Sequence, residues 1–151
     1  MAIGRLDQDS EGLLLLTTDG KHSDWVRSRA IEKEYLVQID GEITETALDQ
    51  IRNGVEISLE NQKYKTQPCK VEKLSNPPDV LPRSKKIRGD HHGPTCWISV
   101  TISEGKFRQV RKMTAAVGFP TLRLIRIRIG PYLLGEMKPG AVESVESFLG
   151  V

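Results

Sequence analysis

The stretch Gly4-Arg5-Leu6-Asp7-Gln8-Asp9-Ser10-Glu11-Gly12 places three carboxylates at alternate positions and then runs into four leucines, Leu13–Leu16. Asp7, Asp9, Glu11 and Gly12 imitate positions one, three, five and six of a calcium loop, where alternating oxygen ligands curl around a cation. Position twelve would be Thr18 rather than a bidentate Glu, and leucines fill the half of the loop that needs flexible ligand backbone. Asp-x-Asp also suits phosphoryl transfer, yet no later acidic cluster completes a magnesium site. Taken by itself, Asp7 stays open between a nucleophile and a surface acid beside a buried strand.

The remaining candidates for metal or cofactor chemistry are few. His22, His91 and His92 form no zinc pattern, even with Cys96 added to the last pair. Cys69 and Cys96 are too few for a disulfide framework and lack CxxC spacing. Neither a GxxxxGK[ST] phosphate loop nor a GxGxxG fingerprint occurs. The expectation is chemistry with no cofactor and no metal.

Charge is segregated along the chain. Residues 1–60 carry six Lys/Arg against thirteen Asp/Glu, and residues 61–128 carry fifteen against four. Two basic clusters stand out: Arg83, Lys85, Lys86 and Arg88, and the run Lys106, Arg108, Arg111, Lys112, Arg123, Arg126 and Arg128, with no acid between 106 and 128. If these side chains converge, they make a phosphate-binding surface of the kind that grips nucleic acid. Composition does not choose RNA over DNA.

Mixed α and β elements must position these groups. At 151 residues the chain suits one domain. Its apolar runs are shorter than a membrane span and its first residues carry charge where a signal peptide would be apolar, so a cytoplasmic protein with no membrane contact is expected. Leu13–Thr17 reads as a short buried strand stopped by Asp19-Gly20, and Trp25-Val26 as part of a short helix. Tyr35, Val37 and Ile39 alternate in a strand. Residues 44–54 read as a helix with Thr44 as cap, Ala47, Leu48 and Ile51 on its apolar edge and Gly54 at its end. Val55-Glu56-Ile57 resumes a strand, and Pro68 marks an edge, bulge or break within 63–74. The segment 75–95 reads as a loop.

Cys96–Ile102 alternates as a strand, and Phe107, Val110, Met113 or Thr114, and Val117 recur at helical spacing before Gly118. Leu122–Ile129 is β-prone, with Ile125 breaking the two-residue period in a way that a bulge or two buried faces would explain. On the helix, Arg108, Arg111 and Lys112 can share a face while Phe107, Val110 and Val117 turn to the core.

Several separated motifs, in order, resemble those of the RsuA-type bacterial ribosomal-RNA pseudouridine synthases. They are Gly4-Arg5-Leu6-Asp7, the following Asp9–Thr17 and Asp19-Gly20, then Lys33-Glu34-Tyr35, then Glu104–Met113, Gly118–Leu124, Ile129-Gly130 and Pro139-Gly140. The likeness spans nearly the whole chain and leans toward the large-subunit rRNA branch. It implies an α+β fold with a mixed, largely antiparallel sheet and flanking helices. It also implies one catalytic domain over residues 1–151, lacking the usual N-terminal segment and accessory RNA-binding domain. Phe107 stands where the family pattern usually has Asn.

The reaction so implied is isomerisation of one uridine in ribosomal RNA, expected to be large-subunit (23S) rRNA, after the base is flipped into a pocket. The alternative is a non-catalytic RNA-binding protein derived from this fold. By resemblance Asp7 is the essential carboxylate, acting as a nucleophile or in a glycal-type route, and Tyr35 lies against the uracil. Arg111 would pair with Asp7 and keep it anionic and oriented. Arg5, Arg83, Lys85, Lys86, Arg88, Lys106, Arg108, Gln109, Lys112 and Arg123 are the expected RNA contacts. Ribosomal RNA is the expected partner; no protein partner is implied and a monomer is expected.

Overall fold

The computed structural model describes residues 2–18, 20–21, 31–82 and 93–145. Arg83, Lys85, Lys86 and Arg88, the three histidines and the helix expected around Trp25 lie outside them.

Two long strands form the centre. β4 (Lys33–Asp40) pairs antiparallel with β8 (Thr95–Ile102) over its whole length, from Lys33 opposite Ile102 to Asp40 opposite Thr95. Alternation sends Tyr35, Val37 and Ile39 of β4, and Cys96, Ile98, Val100 and Ile102 of β8, into one core. On its other side β4 pairs antiparallel with β9 (Thr121–Ile129), with register shifts at Glu34/Tyr35 and Gln38/Ile39. β7 (Lys70–Lys73) closes the β8 edge, and β10 (Tyr132–Leu133) lies on the free edge of β9. This is the expected α+β architecture with a largely antiparallel sheet.

Two helices and a hairpin cover the apolar face. α1 (Glu45–Asn53) is capped by Thr44, whose side chain accepts from the Ala47 amide at 3.1 Å, and it buries Ala47, Leu48 and Ile51. α2 (Gln109–Ala116) contributes Val110 and Met113 to the same core. β5 (Glu56–Leu59) and β6 (Gln62–Lys65) form a separate hairpin whose Ile57 packs inward. The chain then breaks at Gln67-Pro68 before β7, because proline cannot donate to a ladder.

Three expectations need correction. The leucine run is not one buried strand: it follows β2 (Glu11–Gly12), and only its second half forms a strand, β3 (Leu15–Leu16), with only Leu13 buried and Leu16 54% exposed. β3 pairs antiparallel with β1 (Ala2–Ile3), a two-residue ladder too narrow to bury both faces. The second helix begins at Gln109, so Phe107 precedes it and is half exposed rather than in the core. Arg123 and Arg126, counted in the basic surface, are 8% and 6% exposed inside β9, which is buried on both faces at its middle. That double burial, together with the β4–β9 bulges, accounts for the interrupted period at Ile125.

The loop before β2 is fixed to the sheet by a parallel pairing of β2 with β9, Glu11 opposite Ile125 and Gly12 opposite Arg126. Gly12 sits at φ 110°, and a Cβ there would overlap the Arg126 carbonyl and stand 2.6 Å from its nitrogen. Only glycine permits that approach. Glu11 accepts from Arg123 Nε at 2.8 Å and Nη2 at 2.9 Å, and Nη2 also donates to the Leu81 carbonyl. Arg123 is thus a structural tie, not a surface phosphate contact. Gly12→Ala is expected to destabilise the fold by at least about 2 kcal/mol through clash and backbone strain, read as a lower midpoint in urea or thermal unfolding. Arg123→Ala should cost about 3 kcal/mol in the same assay by stranding Glu11.

Candidate active site

The Asp7 loop is held at both ends before any side chain acts. β1 anchors its entry through β3, and β2 anchors its exit on β9. Gly4 at φ 68° starts the bend, and the Ser10 amide donates to the Asp7 carbonyl at 2.9 Å to close a turn. From below, Arg126 donates to the Leu13 carbonyl through Nε at 2.9 Å and Nη2 at 2.6 Å, and reaches the Arg5 carbonyl at 3.4 Å. A buried guanidinium thereby satisfies carbonyls on both sides of the loop.

The wall facing this loop is the connection from β8 into α2. Gln109 is buried; its side-chain oxygen accepts from the Lys106 amide at 3.1 Å and its nitrogen donates to Glu104 at 2.7 Å. Glu104 also accepts from the Tyr64 hydroxyl and from the Gln67 amide at 2.8 Å. The Tyr64 hydroxyl is held protonated above its usual range by that hydrogen bond to Glu104. Gln109 is therefore an internal strut rather than an RNA contact. Arg108 takes a left-handed backbone at φ 51°, ψ 35°, which turns its side chain toward the Asp7 loop.

Arg108 and Arg111 close the gap between loop and helix. Arg108 makes a bidentate pair with Asp9, Nη1 to Oδ1 at 3.0 Å and Nη2 to Oδ2 at 2.9 Å, and its Nη1 lies 3.6 Å from Asp7 Oδ2. Arg111 donates to the Asp9 carbonyl at 2.8 Å and the Ser10 hydroxyl at 3.2 Å, with Nη1 3.8 Å from Asp9 Oδ2. The hydrogen bond from Arg108, with further attraction from both arginines, outweighs burial and holds the Asp9 carboxyl down at about 2. The same bond raises the Arg108 guanidinium. So the ion pair assigned to Asp7 and Arg111 is built differently: Arg108 reaches Asp7, while Arg111 fastens the backbone beside it. The left-handed turn at Arg108 is the cause of this exchange of roles.

These elements enclose a cavity of about 390 Å³. Asp7, 17% exposed at its side chain, lines it from the loop, Tyr35 and Lys33 from β4, Arg108 and Lys106 from the opposite wall, and Arg126 from β9. The structure thus brings together Asp7, Tyr35, Arg5, Lys106, Arg108 and Gln109 of the expected residues; Arg111 supports the site from outside the lining. At the rim, the exposed Phe107 ring carries Arg5 at 4.8 Å and Lys112 at 5.1 Å from its centroid. Sequence reasoning missed Asp9 as the tether, Arg126 as the loop support and any role for Lys33. The Asp-x-Asp spacing contained the first of these, since alternate residues of a tight turn can face one helix end.

Comparison with known proteins identifies the family and the fold. The family model for RNA pseudouridylate synthase matches residues 1–116. The chain is 42% identical over 148 residues to ribosomal large subunit pseudouridine synthase E of Vibrio parahaemolyticus, covering 96% of this chain and 60% of that protein. It is 42% identical over 141 residues to the protein of the same name from Xanthomonas campestris pv. campestris, covering 92% of this chain and 73% of that one. A solved structure described as a pseudouridylate synthase superposes with a TM-score of 0.69 at 34% identity, over 89% of this chain and 50% of that one. The chain therefore spans between half and about three quarters of these three proteins, and it belongs to the RNA pseudouridylate synthase family, on the same branch as these two bacterial relatives.

Proposed function

We propose that this chain isomerises a specific uridine of ribosomal RNA, in the large-subunit (23S) molecule, to pseudouridine. One observation carries the reading: Asp7, Tyr35 and Arg108, distant in sequence, line a single cavity in a chain of this family. The cavity falls in the range of sites that take one small ligand. A uridine inside a helix cannot reach it, so the nucleotide is flipped out of its stack, at least cost from a loop or an exposed position. The large-subunit names of the relatives support the choice of RNA. Work on ribosomal RNA would take place in the cytoplasm, with no cofactor and no protein partner.

Within the cavity Asp7 acts at the sugar. The bond between C1′ and N1 breaks, the base turns, and C1′ rejoins at C5, whose proton is lost as N1 gains one. A carboxylate serves either a covalent route, by attack on the sugar, or a glycal-type route. Tyr35 packs along the base from the sheet floor. Arg108 orients Asp7 by charge at 3.6 Å and locks the loop through Asp9, and Arg111 holds the loop backbone. Arg5, Lys106 and Lys112 at the rim are placed to meet flanking phosphates, and the segment 83–88 supplies further cations. Selectivity comes from RNA shape and base edges rather than from these charges.

The test is a map of uridine isomerisation in RNA from cells lacking the protein, then regaining the wild type or Asp7→Asn. A ribosomal site should return with the wild type alone. In vitro, Asp7→Asn should lower the rate by about a thousandfold or more while RNA affinity stays within about threefold; equal loss of affinity would count against a chemical role. A protein that binds RNA but restores no site would be the non-catalytic alternative. Arg108→Ala, which removes both the Asp9 tether and the charge beside Asp7 while keeping the carboxylate itself, should lower the single-turnover rate about a hundredfold with a smaller effect on binding.

A further inference from the structure

Lys33 opens β4 two residues before Tyr35, and both side chains line the cavity, as the strand period requires. Its ammonium lies beside Gly105 on the opposite wall, where an added Cβ would stand 3.5 Å from Nζ. Among the described residues that ammonium makes no hydrogen bond and no ion pair. Three neighbouring arginines are engaged by the protein itself: Arg108 by Asp9, Arg126 by the Leu13 carbonyl, Arg111 by the Asp9 carbonyl. Burial lowers the Lys33 pKa, Arg126 pushes it the same way, and Glu104 raises it again.

A desolvated cation without a partner is costly, and a fold keeps one where a ligand supplies the acceptor. The acceptors on a uracil are its two carbonyl oxygens. They become much stronger during the reaction, because heterolysis of the C1′–N1 bond leaves the electron pair on N1, delocalised onto both oxygens. We propose that the Lys33 ammonium donates a hydrogen bond to a uracil carbonyl oxygen and stabilises the negative charge that the base acquires as it leaves the sugar. This rests on the synthase reading above and adds to it a catalytic contact on the base. No proton need be transferred: charge returns to neutrality when C1′ bonds C5, C5 releases its proton and N1 is protonated. Both the covalent and the glycal-type route pass through a detached base, so the role is common to them.

Burial, Arg126 on β9 and Glu104 from the β8–α2 connection set its titration, and the other titratable or charged groups lining the cavity are Arg5 and Asp7 from the loop, Tyr35 on β4, and Lys106 and Arg108 from that connection. The ammonium is the active form, and burial lowers its pKa, so activity should fall on the alkaline side at a lower pH than an exposed lysine would give. Arginine stays charged throughout that range.

The experiment compares wild type, Lys33→Met, Lys33→Arg and Asp7→Asn in single-turnover pseudouridine formation. The substrates are ribosomal RNA and intact large ribosomal particles from cells lacking the protein. Lys33→Met should lower the maximal rate about a hundredfold, the scale of losing one charge-stabilising donor, with the RNA concentration for half-maximal rate within about threefold. Lys33→Arg should recover about tenfold of that loss and carry its activity to higher pH than wild type. Thermal unfolding identifies any variant that fails to fold, and Lys33→Arg then carries the test through its pH profile. Wild-type rate in Lys33→Met, or an alkaline limb in Lys33→Arg that coincides with wild type, overturns the proposal while leaving the synthase reading intact. If wild type forms no more pseudouridine than Asp7→Asn on either substrate, the synthase reading falls and the role of Lys33 falls with it.

Discussion

The bidentate pair between Arg108 and Asp9, backed by Arg111 on the adjoining carbonyl, is the contact on which the site depends. It joins a loop near one end of the chain to a helix about a hundred residues later. Without it, the Asp7 loop would have only β1, β2 and the Arg126 contacts to hold it, and the two short strands are two residues each. Short ladders fix a path but not a side-chain direction to the tolerance that chemistry needs. A planar guanidinium meeting a carboxylate through two parallel hydrogen bonds does fix it.

The same logic runs along β9 and explains the uneven charge of the chain. Acids of the first sixty residues meet arginines of the last third: Asp9 with Arg108, Glu11 with Arg123, and Glu32 and Glu34 with Arg128, at 3.3 Å and 3.1 Å. Segregation in sequence is therefore partly neutralised in space. Among the described residues, Arg5 and Lys112 flank the Phe107 ring and Lys106 lines the cavity, each without an acidic partner as close as those of the β9 arginines. Phosphate attraction and internal cohesion draw on the same residue type, and burial decides which task each arginine performs.

A division of labour follows within the cavity. Arg108, Arg111 and Arg126 satisfy protein acceptors and position the loop, whereas Lys33 has its ammonium turned to the cavity with no protein acceptor among the described residues. Arginine suits the first task, since its planar fork fixes direction through paired hydrogen bonds. Tyr35 shares the Lys33 face by strand period alone, so two cavity-lining groups are fixed by one strand.

Much of the fold was legible from local pattern. Alternation at Tyr35–Ile39 and Cys96–Ile102 gave the two central strands, and Thr44 and Gly54 bounded the first helix, because these signals depend only on near neighbours. The ordered motifs likewise identified the family and put Asp7 and Tyr35 in the cavity. Tertiary structure alone decided which cation reaches Asp7, that Arg123 and Gln109 are buried ties, and that only Leu15 and Leu16 of the leucine run pair as a strand. The Asp7 and Arg123 outcomes turn on partners some hundred residues distant, and the first also on one left-handed turn at Arg108. A sequence records which residues carry charge, but which of them meet is set by how the strands are ordered in the sheet.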